Sequence, residues 1–558
     1  MSLRAFRQEL ANPRTSAQLC LLGIIGGVCA ASLIIVFRIG VEYLQSLYVQ
    51  GGADLSTTSP LFRLLLPFIG ALLIIAFAFV TGFKHYRMGI PFVIHRVKVR
   101  YGHIPFRTTL NQFFGGMVAL ASGFVVGREG PSVHLGAAGS SFLGQWLKLP
   151  YNSIRILAGC GIAAGISASF NTPFAAVIFV MEVVLREYKI HIFIPVMLAA
   201  ACGSVLTRIA FGEVHELSFL QFKDFNHWYY ALLIPFGMML GGVASLFNTQ
   251  LMNIIRWFRP VKMVWRLLIA ALVTGLIGMF LPEAMGSGFE EVHAVIQADG
   301  MQMLLIILAA KIVLTWIAIG LGIPGGVIGP VFVLGMLCGA VMIAPLQWFL
   351  PDVEAYTNSF ALLGIAGLLT AVLHAPLAAL SAVMELSYNP AVILPAMLVI
   401  VPAYVTSTQL LGNRSIFIRQ LDYQKLSYST SAVNESLQKT GVLAVMDSNF
   451  KMFDDAPERF ILEFLEQAPT QAVVQRSRFE IDVTYALVQY DMSLGHDASP
   501  LHFSAMEGVP FQATLAEVYD ILQASRDGGV YIYEGTPANI VGVVTWNSLR
   551  AYLHRAQY

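Results

Sequence analysis

Gly127-Arg128-Glu129-Gly130-Pro131 sets an arginine, a carboxylate and two glycines between the apolar runs at 113–126 and 132–147. A charge held at bilayer depth costs roughly 2.5–3.5 kcal/mol even on lenient insertion scales, so such residues face a cavity or a pathway. Two further stretches interrupt apolar runs in the same way: Met88-Gly89-Ile90-Pro91, and the segment from Gly322 to Pro330 that contains Gly326, Val327, Ile328 and Gly329. The chemistry open to these residues is anion holding. A helix start leaves several N–H groups without intrahelical partners and carries the positive end of the helix dipole. Glycine lets an anion approach that backbone closely, and the proline of the first stretch suits an opening helical turn. Amide dipoles hold an anion without the trapping strength of a full charge, which permits release. Glu129 beside such a site competes with the anion when ionised and withdraws when protonated, so it is the candidate gate.

Positioning these groups requires a membrane scaffold. The chain has 558 residues, 56% hydrophobic and 12% charged, with a mean hydropathy of +0.68. That composition marks an all-α polytopic membrane protein. A net charge of +1 with no basic face argues against a nucleic-acid partner. The first apolar run, 19–37, follows Arg4, Arg7 and Arg14 and has no cleavage signature, so it reads as a retained span. Those arginines, with Lys84, Arg87, Arg96, Lys98 and Arg100, place the N-terminus and the loop after the second span in the cytoplasm. Cys20, Cys29, Cys160, Cys202 and Cys338 lack metal-ligand or disulfide spacing and read as small core residues. Neither metal nor cofactor is expected. An intramembrane enzyme is the alternative from another class, with Ser132, His134 and His374 as its polar candidates. None of them sits in a nucleophile–base pattern, so no enzymatic activity is expected, and the two histidines read as core residues with satisfied ring nitrogens.

Many apolar segments, among them 113–126, 154–169, 174–185, 360–373 and 377–386, are shorter than the ~20 residues of a full crossing. Interrupted helices are tolerated only around a cavity. Residues 161–182 align with 364–385 without a gap, identical at ten of 22 positions, and the stretch from Gly130 to Gly136 matches that from Gly329 to Gly335. Pro173 to Glu182 repeats as Pro376 to Glu385. The region is therefore two copies of one unit, roughly 19–215 and 228–420, with a substrate site expected where they meet. Glu182 and Glu385 read as structural residues that cap or anchor helix ends. Beyond residue 425 polar and acidic residues return, and 426–558 reads as a separate α/β domain. Its clearest elements are a helix at 515–524, strands at 529–533 and 540–545, and a helix at 547–553.

These motifs resemble the CLC family of chloride channels and chloride/proton antiporters, over about residues 19–420. The resemblance implies a homodimer with about 17 membrane helices per subunit in two inverted halves. It also implies residence in a bacterial plasma membrane with both termini cytoplasmic, and chloride or another small anion, with or without protons, as cargo. By position Glu129 is the gating glutamate, and the N–H groups of Arg128, Glu129, Gly130, Val327, Ile328 and Gly329 line the pathway. Four positions depart from the family pattern. Met88 replaces the pore serine, as in the fluoride-exporting branch; Ile328 replaces a phenylalanine; Phe417 replaces a tyrosine; and Val183 replaces the internal proton-accepting glutamate. Chloride transport of a channel-like or weakly proton-coupled kind is the leading expectation, with a chloride/proton antiporter and a fluoride transporter as alternatives. The tail is similar to a pair of CBS modules, better over 511–553 than over 437–490. Asn547 or Ser548 stands where an acidic residue would hold a ribose, which argues against a bound adenine nucleotide.

Overall fold

The computed structural model describes residues 3–48, 55–83, 89–212, 219–286, 288–298, 300–348, 350–428, 432–469, 471–479, 482–490 and 500–555. The chain forms two compact units, neither continuous in sequence: one of residues 20–143 and 155–428, the other of residues 1–19, 144–154 and 429–558.

The first unit is helical. Among the described residues, ten helices are long and apolar enough to cross a membrane, and Pro173–Leu185 and Pro376–Ser387 are shorter apolar helices. Together they make an integral, multi-pass membrane protein. Each short helix opens on a proline with no N–H to satisfy, and each is followed by a residue with positive φ, Arg186 and Tyr388. Thr357–Leu373 is buried at every position from Ser359 onward, as expected for a helix apolar on all sides. The two copies pack internally in the same way. A Cβ on Gly136 would overlap the carbonyl oxygen of Gly161, and a Cβ on Gly335 would stand 2.7 Å from that of Gly364. These glycines correspond in the alignment of the copies, so one close helix–helix approach has been used twice.

The cysteines depart from expectation: Cys160 and Cys338 are buried, but Cys29 is exposed and Cys20 and Cys202 are partly so. An outward thiol is tolerated because on a helix facing lipid an apolar outer surface carries no penalty.

The second unit contains the strands. Strand β1 (Lys451–Asp454), β2 (Val473–Phe479), β3 (Asp482–Tyr490) and β4 (Leu501–Ala505) form a sheet in that order, and β5 (Glu507–Pro510), β6 (Gly529–Tyr533) and β7 (Ile540–Thr545) form another. In both, a first strand pairs parallel with a second after an intervening helix, Glu458–Gln467 or Leu515–Leu522, and the second pairs antiparallel with a third. The same β-α-β-β order therefore occurs twice, including over the stretch where sequence resemblance is thin, and is consistent with a pair of CBS modules. The N-terminal helix Leu3–Ala11 belongs to this unit. Arg7 binds Glu534 at 3.2 Å and the carbonyl of Leu147 at 3.1 Å, and lies over the Phe511 ring. Ser548 is engaged locally: its hydroxyl accepts from the Thr545 N–H at 3.0 Å at the start of the helix Trp546–Arg555.

Candidate anion pathway at the repeat interface

The helices Glu129–Trp146 and Ile328–Gln347 begin beside each other. Immediately before them Gly127 and Gly326 form an antiparallel bridge, Gly127 N–H to Gly326 O at 2.8 Å and Gly326 N–H to Gly127 O at 2.7 Å. These two glycines correspond in the repeat, so the bridge marks the pseudo-two-fold axis. Their own N–H groups are spent on each other. The first bonds within the helices are Ser132 N–H to Arg128 O and Val331 N–H to Val327 O, so the amides ahead of Pro131 and Pro330 lie at the open helix ends.

Glu129 is buried, 4% exposed, and its carboxylate is folded back between those ends. A Cβ on Gly329 would stand 2.9 Å from Oε1, one on Gly326 3.0 Å from Oε2, and one on Gly127 would collide with Oε2. Glycine at these places is therefore a matter of space around the carboxylate. The Arg128 guanidinium lies over the Phe170 ring, 4.4 Å from its centroid.

On one side of this junction lies a cavity of about 1110 Å³, lined by Gly89, Ile90, Pro91, Gly325, Gly326, Val327 and Phe417. Three motifs distant in sequence thus share one wall. Gly89 opens the helix Gly89–Val99 at φ +76, and Phe417 is buried in the helix Ile416–Gln424. Met88 lies outside the described residues. The cavity also exposes Arg259, Lys262, Arg266 and Lys425 and no carboxylate among its described lining residues, so its field favours anions. Sequence inspection missed these cations because they come from two distant stretches, Arg259, Lys262 and Arg266 in one and Lys425 in the other. Glu129 and Ile328, another corresponding pair, border a smaller cavity of about 60 Å³. Its apolar wall is made of pairs that also correspond: Ile166 with Leu369, Phe170 with Leu373, Ala175 with Ala378, Phe179 with Ala382.

The two other glutamates are placed by the same symmetry. The Glu182 carboxylate accepts from the N–H groups of Leu377 (3.2 Å) and Ala378 (2.7 Å), and that of Glu385 from Phe174 (3.1 Å) and Ala175 (2.8 Å). Each glutamate caps the matched helix of the other copy. Val183 is buried in the widened turn Val180–Leu185. Four residues on, buried Glu187 binds Arg155 at 2.5 Å with Lys98 at 3.9 Å. The histidines correct the expectation of satisfied rings. His134 is fully buried with neither ring nitrogen bonded among the described residues, stacked instead on Phe92 at 5.6 Å. The Nε2 of His374 likewise has no hydrogen bond among the described residues.

The sequence matches the model of the voltage gated chloride channel family over residues 71–408. The chain belongs to this family. Among CLC relatives, it is 29% identical to a putative chloride channel protein ClcB-like of Ralstonia nicotianae, over 72% of this chain and 96% of the relative. It is also 29% identical to the H(+)/Cl(-) exchange transporter ClcA of Cronobacter sakazakii, over 74% and 91%. Among solved structures, a slow cyanobacterial Cl−/H+ antiporter aligns with a TM-score of 0.65 at 21% identity, covering 73% of this chain and 97% of that one. A CLC-type fluoride/proton antiporter aligns at 0.60 and 26% identity, covering 72% and 97%. The family, together with the membrane helices, makes this an anion-transport protein of CLC type.

Proposed function

We propose that the chain carries chloride between the Glu129 and Ile328 helix starts, with Glu129 as the gate. The observation that supports this most is the position of the Glu129 carboxylate, which fills the space against Gly127, Gly326 and Gly329 that an anion held by the two helix ends would use. Two unit charges about 4 Å apart repel by ~4 kcal/mol at an effective dielectric of 20. An ionised Glu129 and a chloride therefore exclude each other by roughly a thousandfold, and protonation opens the site. Ser132 donates to Arg128 O at 2.8 Å, and this reading gives its hydroxyl a helix-backbone role and no covalent chemistry. The reading includes a homodimer in a bacterial plasma membrane with cytoplasmic termini.

Coupling to protons is weak or absent in this reading, because the position after Glu182 is the buried aliphatic Val183, which holds no proton. A strict antiporter is the second reading, favoured by the relatives and structures named as exchangers. Fluoride as cargo is the third, favoured by Met88 and by the fluoride/proton antiporter likeness.

The deciding experiment is efflux from proteoliposomes with external chloride and pH recorded together, and fluoride in parallel. We expect chloride efflux that rises as pH falls, with little proton uptake, and a Glu129→Gln variant whose flux no longer depends on pH between about 4 and 8. Stoichiometric proton movement would establish the antiporter. A Glu129→Gln variant with the wild-type pH profile would remove Glu129 from the gate.

A further inference from the structure

Phe417 lines the large cavity without a side-chain hydrogen-bond donor. A neutral donor stands elsewhere in that lining. Gln112 is fully buried, lines the cavity with Gly89, Pro91 and Gly325, and has neither its amide nitrogen nor its amide oxygen hydrogen-bonded among the described residues. A buried primary amide with both ends unbonded is strongly unfavourable unless something enters to meet it.

Its placement follows from the helix that carries it, Phe106–Ala121, whose buried face includes Gln112, Gly115 and Gly116. Residues three and four apart share a helix face. A Cβ on Gly115 would stand 3.1 Å from Cγ of Pro324, and one on Gly116 2.9 Å from Cγ of Pro131. The helix is thus pressed against the glycine-proline motifs of both copies. One turn earlier the Gln112 Nε2 lies 3.5 Å from that same Gly116 position, which sets the amide beside Pro131 and the start of the Glu129 helix.

Resting on the reading of this site as an anion pathway, we propose that Gln112 is a side-chain donor of the pore, its amide N–H groups holding the dehydrated anion where Phe417 offers none. The unbonded amide is free to turn its NH2 toward an anion whichever way round it rests. Being neutral, it adds a donor without the trapping strength of a cation. It follows that Gln112 sets affinity and Glu129 sets access.

The test is Gln112→Met, of similar length and without polar atoms, in the full-length protein. Two readouts are needed: chloride efflux from proteoliposomes against chloride concentration, and the chloride-induced rise in melting temperature in detergent, which scales with anion binding. The expected result is a half-saturating chloride concentration raised about tenfold or more, the loss of one hydrogen bond to a charged group. The chloride-induced rise shrinks with it, while heat stability without chloride is equal to or above wild type, because an unbonded amide has been removed. Wild-type values on both readouts would overturn the proposal while leaving the anion pathway intact. Wild-type protein with neither efflux nor chloride-induced stabilisation would overturn the pathway, and Gln112's role with it. If Gln112→Met fails to fold, Gln112→Leu, smaller and also without polar atoms, takes its place; it should shrink the chloride-induced stabilisation in the same way, and retention of that stabilisation would overturn the proposal.

Discussion

Removing the crossed glutamate caps should loosen the two halves of the membrane unit from each other. Each carboxylate accepts two N–H groups from the first turn of a helix in the other copy, at 2.7–3.2 Å. Hydrogen bonds to a charged group contribute about 1.5–3 kcal/mol each, and an anion at a helix start adds about 0.3–1 kcal/mol. Both carboxylates are only partly buried, so water takes over some of the lost acceptance. We therefore expect Glu182→Ala or Glu385→Ala to cost about 2 kcal/mol, well below the sum of those terms, and the Gln variants, which keep one acceptor oxygen, about half as much. Ala175 and Ala378, two of the capped residues, wall the small cavity beside Glu129, so the caps bear on the pathway as well. The assay is thermal denaturation in detergent, with melting lowered by about 2–4 °C for each Ala variant. The double variant should cost less than the sum of the singles, by roughly 0.5–1 kcal/mol, because both caps hold one helix pair. Strictly additive losses, or Gln variants as unstable as Ala variants, would refute the reasoning.

Three further outcomes follow from the same geometry. Neutralising Arg266 or Lys262 in the large cavity should lower chloride efflux several-fold at low ionic strength and progressively less as salt is raised past a Debye length of about 10 Å; a salt-independent loss would mean a structural defect. Exchanging the pseudo-symmetric pair, Glu129→Ile together with Ile328→Glu, should keep pH-gated efflux, since the carboxylate then approaches the same junction from the other copy; pH-independent flux would show that the two helix starts are not equivalent. Arg7→Ala should destabilise the strand-containing unit by about 1–2 kcal/mol through its lost bonds to Glu534 and Leu147, read as earlier urea unfolding of its tryptophan signal.

The sequence made the repeat, the glycine-proline helix starts and the strands Gly529–Tyr533 and Ile540–Thr545 legible, because glycine, proline and charge in an apolar chain are local signals. What it concealed is which face of each helix is inward. In Ala17–Ser46 the outward Leu21, Val36 and Ile39 are as apolar as the inward Ile34 and Phe37, since lipid and protein interior select the same residues. Gln112 was overlooked for a related reason: a lone glutamine inside a helix carries no motif, and only burial without a partner among the described residues singles it out. The cavity cations needed tertiary structure too, as Arg259 and Lys262 meet Lys425 only after the helices pack.

The pathway is a symmetric frame with an asymmetric occupant. The glycine bridge, the crossed caps and the four wall pairs all obey the two-fold relation, yet Glu129 is answered by Ile328. Two carboxylates facing one junction would repel by ~4 kcal/mol at about 4 Å with an effective dielectric of 20. Such a pair would set two negative charges against every anion that approached the junction. A single carboxylate avoids that conflict. In the proposed reading it leaves both helix ends to the anion once it withdraws, while the Ile328 side chain keeps the wall of the small cavity apolar. The frame therefore supplies two helix ends of positive potential, and in the proposed reading the Glu129–Ile328 pair, which breaks the repeat beside Arg128 and Val327, supplies the means of switching between occupation by the protein's own carboxylate and occupation by the transported ion.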